Sequence, residues 1–477
     1  MNEEVNITER ILFLQAQATL DMLLYSPKDA EAALWQSHQL ATETGDRGSQ
    51  AFALHMVGWI RGWGEHIYEA IRLQEQAHEL YVAIGDPFRA ALGDQGLGII
   101  YLTLGEIERA RLYTLRGFEC ARRYGVRGVL GWLHWNQGAI ALAQGDWANS
   151  ESHLQQALQE AVANNNTRLK PMVLLLQAEL YFRRGDWREA EQLFQTSIQA
   201  ANNTEWHPST MSLYGHFLAV TGRRAAARTQ LDRAAACPEP GGYAGDFYIP
   251  FLAEGYIHLG ANERATTYIE RIRNLRGFMY YGNSVDRILG VVATQAGDWE
   301  TAEQAFEEGL ALCRRANNQP EEAAILYEQA RAALMQSARE TGHTHHSLER
   351  VHSLCDRARE LFLQYGMQRA VDLVDTLQEG VQQLERREVA GAPEQTALRH
   401  VAQERVSLSG YHLDLSLTKR ELEVLRLVAD GHTDREVADT LVISPRTVNR
   451  HLSNIFVKLD VPGRAAAVAY GIRQGLV

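Results

Sequence analysis

The chain has 477 residues, of which 45% are hydrophobic and 22% charged, and its formal net charge is −12. This length predicts two or more domains, and the composition is that of a globular protein with a sizeable core. No run of about 18 apolar residues occurs, and the acidic N-terminus lacks a signal-peptide pattern, so neither a membrane span nor a secretory leader is expected. Cys120, Cys237, Cys313 and Cys355 lie far apart, which favours reduced thiols in a cytoplasm.

A short phrase with a central glycine recurs through the first 310 residues, as in LTLGEIERA, FRRGDWREA and TQAGDWETA. The recurring glycines, spaced by 37 to 40 residues, are Gly105, Gly145, Gly185, Gly222, Gly260 and Gly297. A small residue stands seven positions before each glycine and another five positions after it. Apolar residues between these points recur at three and four, which is typical of amphipathic helices.

This pattern predicts a repeated pair of helices. The glycine ends the first helix in a left-handed conformation, and the small residues lie where the two helices cross closely. Such a pair cannot bury its apolar face alone, so neighbouring pairs stack into a solenoid. The arrangement resembles slightly lengthened tetratricopeptide repeats and implies a solenoid over residues 1–385. Gly391, Pro393 and Gly410 then interrupt the periodicity, which predicts a linker over 386–410, with a short helix near 396–405.

The tryptophans of the repeats allow two interpretations. Trp59, Trp63, Trp132 and Trp135 could line a ligand pocket, but at helical spacing packing between repeats is favoured. The other tryptophans that draw notice follow the turn glycines and are interpreted as structural: Trp147, Trp187 and Trp299.

Two further patterns suggest ligands but are better explained otherwise. The histidines of GHTHHS (His343, His345 and His346) lack Cys or carboxylate partners at ligand spacing, so a solvated loop is favoured over a metal site. The sequence GDQGLG at Gly93–Gly98 follows no strand, and a helix crossing already explains Gly98. No phosphate-binding G-x-x-x-x-G-K-[ST] motif occurs, so an ATPase is not supported.

The C-terminal segment predicts four helices with explicit start signals. Thr418 with Glu421, and Thr433 with Glu436, have the spacing of capping boxes. Ser444 and Pro445 have the residue types that cap and begin a third helix, and a fourth helix is expected from about 463 to 474. Two short helices joined by a short turn are typical of the helix-turn-helix that places its second helix in the major groove of DNA.

The third of these helices has two chemically distinct faces. The inward positions are Val448, Leu452, Ile455 and Leu459. The outward positions are basic or polar, with no acidic residue between Asp439 and Asp460. From Tyr411 onward the net charge is only +1, so DNA affinity depends on where these charges lie rather than on their sum.

These motifs resemble the DNA-binding domain of LuxR-type regulators over residues 411–477. The matching stretches are Leu417–Glu421, Val424–Leu425, Gly431, Glu436–Ala438, Leu441–Ser444, Thr447–Leu452 and Ile455–Leu459. Two residues depart from the family pattern. Asp434 stands where an asparagine is usual beside the DNA backbone, and Asp460 replaces the usual glycine after the recognition helix.

The resemblance implies roles for individual residues. Asn449, Arg450 and Ser453 match the positions that face base edges, where Arg450 could pair with guanine and Asn449 with adenine. The positions placed to contact phosphate are Thr433, Arg435, Arg446, Thr447, Asn454 and Lys458. The final helix, with Arg464, Val468 and Ile472, corresponds to the dimer contact of the family, so that a dimer reads two half-sites about one helical turn apart.

The whole chain is therefore expected to be all-α: a tetratricopeptide-like α-solenoid followed by a four-helix LuxR-type helix-turn-helix domain. The order of the two domains also looks like that of the C-terminal half of MalT-type regulators, without the NTPase of those proteins. The expected function is sequence-specific transcriptional regulation, with double-stranded DNA as partner, RNA polymerase as a further candidate, and an unknown regulatory ligand or protein at the solenoid. No cofactor, metal or enzymatic activity is expected. The alternative is a repeat-based protein-interaction scaffold whose helix-turn-helix does not bind DNA, which Asp434 and Asp460 favour.

Overall fold

A computed structural model of the chain describes residues 2–23, 27–62, 66–202, 204, 206–237, 248–275, 277–279, 282–337, 345–389, 419–441, 443–459, 461 and 463–473. The described part is helical, without a β-strand, which confirms the predicted all-α class. The helices before residue 390 are α1 (Asn2–Leu23), α2 (Pro27–Thr44), α3 (Arg47–Arg61), α4 (Ile67–Ala83), α5 (Pro87–Thr103), α6 (Ile107–Tyr124), α7 (Leu130–Ala143), α8 (Trp147–Ala163), α9 (Leu169–Arg184), α10 (Trp187–Ala201), α11 (His207–Val220), α12 (Arg224–Ala235), α13 (Ile249–His258), α14 (Asn262–Thr266), α15 (Ile269–Arg273), α16 (Val285–Ala296), α17 (Trp299–Ala316), α18 (Gln319–Ser337), α19 (His345–Gln364) and α20 (Gln368–Val389). None of these described helices combines the length and apolar character needed to cross a bilayer.

The turns within the helix pairs form as predicted. All six recurring glycines have positive φ, a conformation that costs glycine little. At the turn before α8, Gly145 has φ of +73° and the carboxylate of Asp146 accepts a hydrogen bond from the N–H of Asn149. The glycine thus ends one helix and the aspartate caps the next.

A second series of left-handed residues joins one helix pair to the next, and the sequence analysis did not predict it. Gly45, Gly85 and Gly125 have φ near +70°, and Asn165 and Asn317 occupy corresponding positions with φ of 48° and 51°. Asparagine tolerates this conformation better than most residues, so it can replace glycine at these turns.

The small residues before the turns lie at helix crossings, as predicted. A Cβ atom on Gly98 would lie 2.6 Å from Oγ1 of Thr114, and one on Gly290 would lie 2.5 Å from the ring of Phe306. Close packing at these points therefore requires glycine. Residues 93–98 lie inside α5, which excludes a phosphate-binding loop there.

The solenoid coils until distant repeats touch. The carbonyl oxygen of Thr103 accepts a hydrogen bond from the N–H of Phe278 at 2.8 Å. The indole N–H of Trp147 donates to the carbonyl oxygen of Tyr365 at 2.9 Å. The turns of the central repeats therefore pack against segments more than 170 residues later in the chain.

The C-terminal segment folds around a core of its own. Its helices are α21 (Lys419–Ala429), α22 (Asp434–Leu441), α23 (Pro445–Lys458) and α24 (Arg464–Arg473). The buried apolar residues are Val424, Leu425, Val428, Val437, Ala438, Val448, Leu452, Ile455, Leu459 and Ala467. Helix α20 continues to Val389, past the expected domain boundary at 385, and the rest of the linker with its expected helix lies outside the described residues.

Candidate DNA-binding site and solenoid cavities

Helix α22 begins with the capping box that the sequence predicts. The backbone N–H of Thr433 donates to Oε2 of Glu436 at 2.7 Å, and the N–H of Glu436 approaches Oγ1 of Thr433 at 3.4 Å. The hydrogen bonds that the backbone N–H and the hydroxyl of Thr433 donate to the exposed carboxylate of Glu436 lower the pKa of that carboxyl. The start of α22 is therefore held by its own side chains. Thr418, the first residue of the other predicted box, lies outside the described residues.

Helix α23 begins at Pro445 after a short turn. The N–H of Thr447 donates to Oγ of Ser444 at 3.1 Å, and the two hydroxyls are 2.8 Å apart. This cap confirms the predicted roles of Ser444 and Pro445. The turn places α23 against α22, as in the helix-turn-helix arrangement.

The two faces of α23 are sorted as predicted. Its four predicted inward residues are buried, and Val448 and Ile455 have no exposed surface. Asn449 and Arg450 are exposed on the opposite face. Arg446, Ser453, Asn454 and Lys458 also belong to α23, but their side chains lie outside the described part of the structure.

The remaining predicted contact residues differ in their freedom to bind phosphate. Arg435 is exposed at the start of α22. The hydroxyl of the exposed Thr433 donates to Glu436 at 2.8 Å, and that of Thr447 is shared with Ser444. Both hydroxyls are thus engaged in hydrogen bonds within the domain, whereas Arg435 presents a charged guanidinium at the surface.

The structure gives Asp434 an intramolecular partner that the sequence analysis missed. The guanidinium of Arg464 pairs with the carboxylate of Asp434 and donates to the carbonyl oxygen of His432. The predicted dimer residue Arg464 therefore ties α24 to the start of α22 within one chain. Val468 packs half-buried against the domain core, and the side chain of Ile472 lies outside the described residues.

Two cavities stand out among the described residues of the solenoid. The first, the charged cavity, has a volume of about 190 Å³ and is lined by residues of α9, α10, α11, α13, α16, α18, α19 and α20. Arg287 bridges Glu254 at 2.6 Å and Glu321 at 2.8 Å across it. Further ion pairs in its wall join Arg183 to Glu179 and Arg331 to Glu328. Trp187, interpreted from sequence as structural, also lines this cavity, and its indole N–H finds no acceptor among the described residues.

One cluster in the charged cavity has the donor types of a metal site. The ligand atoms of His216, Glu254 and His258 lie within 4.8 Å of one another. Two imidazoles and a carboxylate suit zinc, but Glu254 already accepts a hydrogen bond from the buried Arg287. The cluster thus also belongs to a compensated ion-pair network. No local sequence pattern indicates this cluster, because His216 lies on α11 and the other two residues lie on α13.

The second cavity, the aromatic cavity, has a volume of about 360 Å³. Three of the tryptophans that the sequence singled out, Trp59, Trp132 and Trp135, line it together with Trp206. The pocket interpretation, which the sequence disfavoured, is thus supported for three of the four. Trp63 lies outside the described residues. Of the GHTHHS histidines, His345 and His346 begin α19 instead of lying in the predicted loop, and their side chains, like the whole of His343, lie outside the described part of the structure.

Comparisons with known proteins match both parts of the chain. The family model "Bacterial regulatory proteins, luxR family" matches residues 415–470, and the model "Tetratricopeptide repeat" matches residues 129–203.

Among curated relatives, the transcriptional regulatory protein LiaR of Bacillus subtilis is 50% identical over 62 residues, which are 13% of this chain and 29% of LiaR. The transcriptional regulatory protein DegU of Brevibacillus brevis is 46% identical over 61 residues, 13% of this chain and 26% of DegU. The uncharacterized response regulatory protein YgeK of Escherichia coli is 42% identical over 77 residues, 16% of this chain and 52% of YgeK. The chain thus spans between about a quarter and about half the length of these relatives.

Proposed function

Because the chain joins tetratricopeptide repeats to a luxR-family helix-turn-helix domain, we propose that it is a cytoplasmic, sequence-specific transcriptional regulator. Its C-terminal domain binds double-stranded DNA by placing α23 in the major groove. The observation that carries the proposal is the division of α23 into a buried apolar face and an exposed face with Asn449 and Arg450. No acidic residue lies on this helix to repel phosphate.

Base recognition is assigned to Asn449, Arg450 and Ser453. A guanidinium can donate two hydrogen bonds to a guanine and an amide can pair with an adenine, and each such pair contributes about 1–3 kcal/mol of discrimination. Contacts to phosphate fix the register of α23 on the duplex. The residues assigned to them are Thr433, Arg435, Arg446, Thr447, Asn454 and Lys458.

Dimerisation on DNA is assigned to α24, through Arg464, Val468 and Ile472. A net charge of +1 over the domain gives one copy little attraction for DNA, so two copies on a pseudo-palindromic site would supply useful affinity. The pairing of Arg464 with Asp434 leaves the dimer contact chiefly to the apolar residues of α24.

The solenoid is assigned the sensory role, with a small ligand or a protein as its regulatory partner. The charged cavity and the aromatic cavity support the proposal that the solenoid binds a ligand. Protein interiors are ordinarily close-packed, so cavities of this size are not expected from packing between repeats alone. RNA polymerase is a further candidate partner of the DNA-bound protein. No enzymatic step is proposed.

The alternative is a protein-interaction scaffold whose helix-turn-helix does not bind DNA. Two residues favour it, Asp434 and Asp460, and the structure weakens the argument from Asp434. Asp434 favours it only if its negative charge faces the DNA backbone uncompensated, and Arg464 neutralises that charge. Asp460, the other support, lies outside the described residues.

Selection of genomic fragments by the full chain, followed by footprinting, tests the proposal. Arg450→Ala is expected to relax preference at one base pair, whereas Lys458→Ala is expected to weaken binding to all sequences alike. Arg426→Ala, which removes the same charge from α21, is the matched control and is expected to leave base preference unchanged. Failure to enrich any fragment would refute the regulator and favour the scaffold.

A further inference from the structure

We propose that His216, Glu254 and His258, in the wall of the charged cavity, bind a divalent transition-metal ion, with zinc as the best match. This site goes beyond the proposed function, which assigns the solenoid a regulatory partner of unspecified chemistry. Two adjacent helices place the three side chains, one pair of ligand atoms already has the separation that a bound ion requires, and the surrounding charges leave the carboxylate available to a cation.

Two helices that pack against each other bring the three residues together. Glu254 and His258 lie four residues apart on α13, so their side chains share one face of that helix. His216 lies on α11, which contacts α13 directly. Gly255 lies at this contact, where a Cβ atom would be only 3.5 Å from Cα of His216. The ligand atoms of the three residues consequently lie within 4.8 Å of one another.

The imidazole of His216 and the carboxylate of Glu254 have the spacing of two metal ligands. Nε2 of His216 lies 3.4 Å from Oε2 of Glu254. Zinc holds nitrogen and oxygen ligands at about 2.0–2.2 Å in a tetrahedron, which places neighbouring ligand atoms about 3.3–3.5 Å apart. A charge-assisted hydrogen bond between the same groups is shorter, at about 2.7–2.9 Å. The observed separation therefore fits an ion bound by both atoms better than a direct ionic hydrogen bond.

Aromatic neighbours surround the ring of His216, whereas His258 is freer to adjust. The ring centroid of Phe251 lies 5.7 Å from that of His216, and the ring of Phe182 meets it edge to face at 6.2 Å. The ring of His258 lies 5.6 Å from the ring of His216. Because His258 is half-buried, its side chain has room to turn a ring nitrogen toward an ion held by the other two residues. Two imidazoles and one carboxylate are a ligand set of zinc sites that keep a fourth position for water.

Arg287 orients the carboxylate of Glu254 without cancelling the negative charge around it. The guanidinium contacts both Glu254 and Glu321, so two carboxylates and one guanidinium together keep a net charge of −1. Within Glu254, Arg287 donates to Oε1 at 2.6 Å, whereas its contact to Oε2 is longer, at 3.4 Å. Oε2, the oxygen near His216, is therefore the atom assigned to the ion. A hydrogen bond to a ligating carboxylate is usual in metal sites, because it fixes the orientation of the ligand.

Two further arginines of the cavity wall have counter-charges of their own. Arg183 pairs with Glu179 at 2.9 Å and Arg331 with Glu328 at 2.7 Å, so neither guanidinium requires Glu254 as its partner. The cavity volume of about 190 Å³ exceeds the roughly 30 Å³ that one water molecule occupies in the liquid. A water molecule can therefore fill the fourth position of the ion.

Titration of the metal-free full chain with Zn²⁺, followed by calorimetry, tests the proposal. Loss of an outer-shell partner alone typically weakens metal binding about 10-fold to 100-fold. His216→Gln and His258→Gln each remove a ligand and are therefore expected to weaken Zn²⁺ binding by at least about tenfold. His207→Gln, on the same helix α11 but outside the cavity wall, is the matched control and is expected to bind Zn²⁺ as the original chain does.

The histidines of GHTHHS are an alternative source of zinc binding, so they require a control of their own. The triple variant His343→Gln/His345→Gln/His346→Gln is expected to retain the Zn²⁺ affinity of the original chain. Loss of binding in this variant, with full affinity in His258→Gln, would assign the ion to the GHTHHS segment and overturn the proposed site.

Absorption spectroscopy with Co²⁺ distinguishes metal ligation from a structural effect of the substitutions. The original chain is expected to give visible d–d bands without an intense thiolate-to-cobalt charge-transfer band, because its ligands are nitrogen and oxygen atoms. His258→Cys exchanges one ligand for another and is expected to bind Co²⁺ with that charge-transfer band present. Circular dichroism and thermal unfolding without metal establish that each variant compared is folded.

The results that would overturn the site do not depend on DNA. They are failure of the original chain to bind Zn²⁺, equal loss of affinity in His207→Gln and His258→Gln, and a folded His258→Cys whose Co²⁺ form lacks the charge-transfer band. Because every measurement uses the chain without DNA, failure of the metal site leaves the proposed regulator standing, and failure of the regulator leaves the metal site standing.

Discussion

Arg464 and Asp434 form an ion pair that joins the last helix of the C-terminal domain to the first turn of α22. Both side chains are about one-third exposed, so the pair contributes little to stability, of the order of 0–1 kcal/mol. Under the proposed function its importance is electrostatic, because the resemblance to LuxR-type domains would place the start of α22 beside the DNA backbone, with Asp434 where an asparagine is usual. The guanidinium offsets a charge that would otherwise repel phosphate.

This pairing predicts opposite effects of two substitutions on DNA affinity. Asp434→Asn removes a negative charge near the DNA backbone and is expected to tighten binding by roughly twofold to fivefold at low salt, with a smaller gain at high salt. Arg464→Ala leaves the carboxylate of Asp434 without its counter-charge and is therefore expected to weaken DNA binding. Fluorescence anisotropy with a labelled DNA site measures both.

The double variant Asp434→Asn/Arg464→Ala is the control for this prediction. If Arg464 acts by neutralising Asp434, removing both charges restores most of the affinity that Arg464→Ala loses. If the double variant binds as weakly as Arg464→Ala, then Arg464 acts through another contact, such as the dimer interface.

The helix crossing at Gly98 predicts a contrast between two glycines of α5. Gly98→Ala would place a methyl group 2.6 Å from Oγ1 of Thr114 and is expected to lower the free energy of unfolding by about 1–3 kcal/mol. Gly93→Ala meets its nearest neighbour only at 3.9 Å, so its better helix propensity is expected to raise stability by up to about 1 kcal/mol. Chemical denaturation compares the two, and equal effects would contradict the assigned crossing.

The structural features that the sequence predicts best are those that depend on a few neighbouring residues. The caps of α22 and α23 are hydrogen bonds between residues three apart, so residue types at that spacing were sufficient to find them. The contact of Trp147 with Tyr365 and the aromatic cavity depend instead on how small rotations between repeats accumulate along the solenoid. No local pattern encodes the accumulated rotation, so the helical spacing of Trp59, Trp132 and Trp135 predicts packing although these residues line a cavity.

Buried His55 predicts that stability falls in mild acid. Burial lowers its folded-state pKa to about 4, whereas the unfolded chain has the ordinary value of 6.5. Between these values the unfolded state binds a proton that the folded state excludes, so the free energy of unfolding falls as the pH drops below 6.5. This group accounts for about 2 kcal/mol between about pH 7.5 and about pH 5.

Denaturation of His55→Gln at both pH values isolates this contribution. The variant retains every other titrating group, so its loss of stability on acidification is expected to be smaller by that amount. An identical pH dependence in the variant and the original chain would show that His55 does not titrate in this way.

The four free cysteines predict graded reactivity toward a thiol reagent. Cys313 and Cys355 are buried, and burial raises the pKa of both thiols, that of Cys355 to about 12. Because the thiolate is the reactive form, both are expected to react at least about 100-fold more slowly in the folded protein than after unfolding. The half-buried Cys120 and Cys237 account for any fast reaction, which Cys120→Ser/Cys237→Ser is expected to abolish. Fast labelling that persists in that variant would contradict the packing around α17 and α19.

The salt dependence of DNA binding by the full chain is the measurement that distinguishes a sequence-specific DNA-binding regulator from a protein without this function. Affinity for a selected fragment and for its scrambled counterpart is measured from about 50 to about 200 mM salt. A specific dimer that contacts phosphates through α22 and α23 predicts a preference for the selected fragment at every salt concentration and a log–log slope steeper than about −5. Equal affinity for the two fragments, or binding that does not respond to salt, would contradict the assignment of this chain as a sequence-specific DNA-binding regulator.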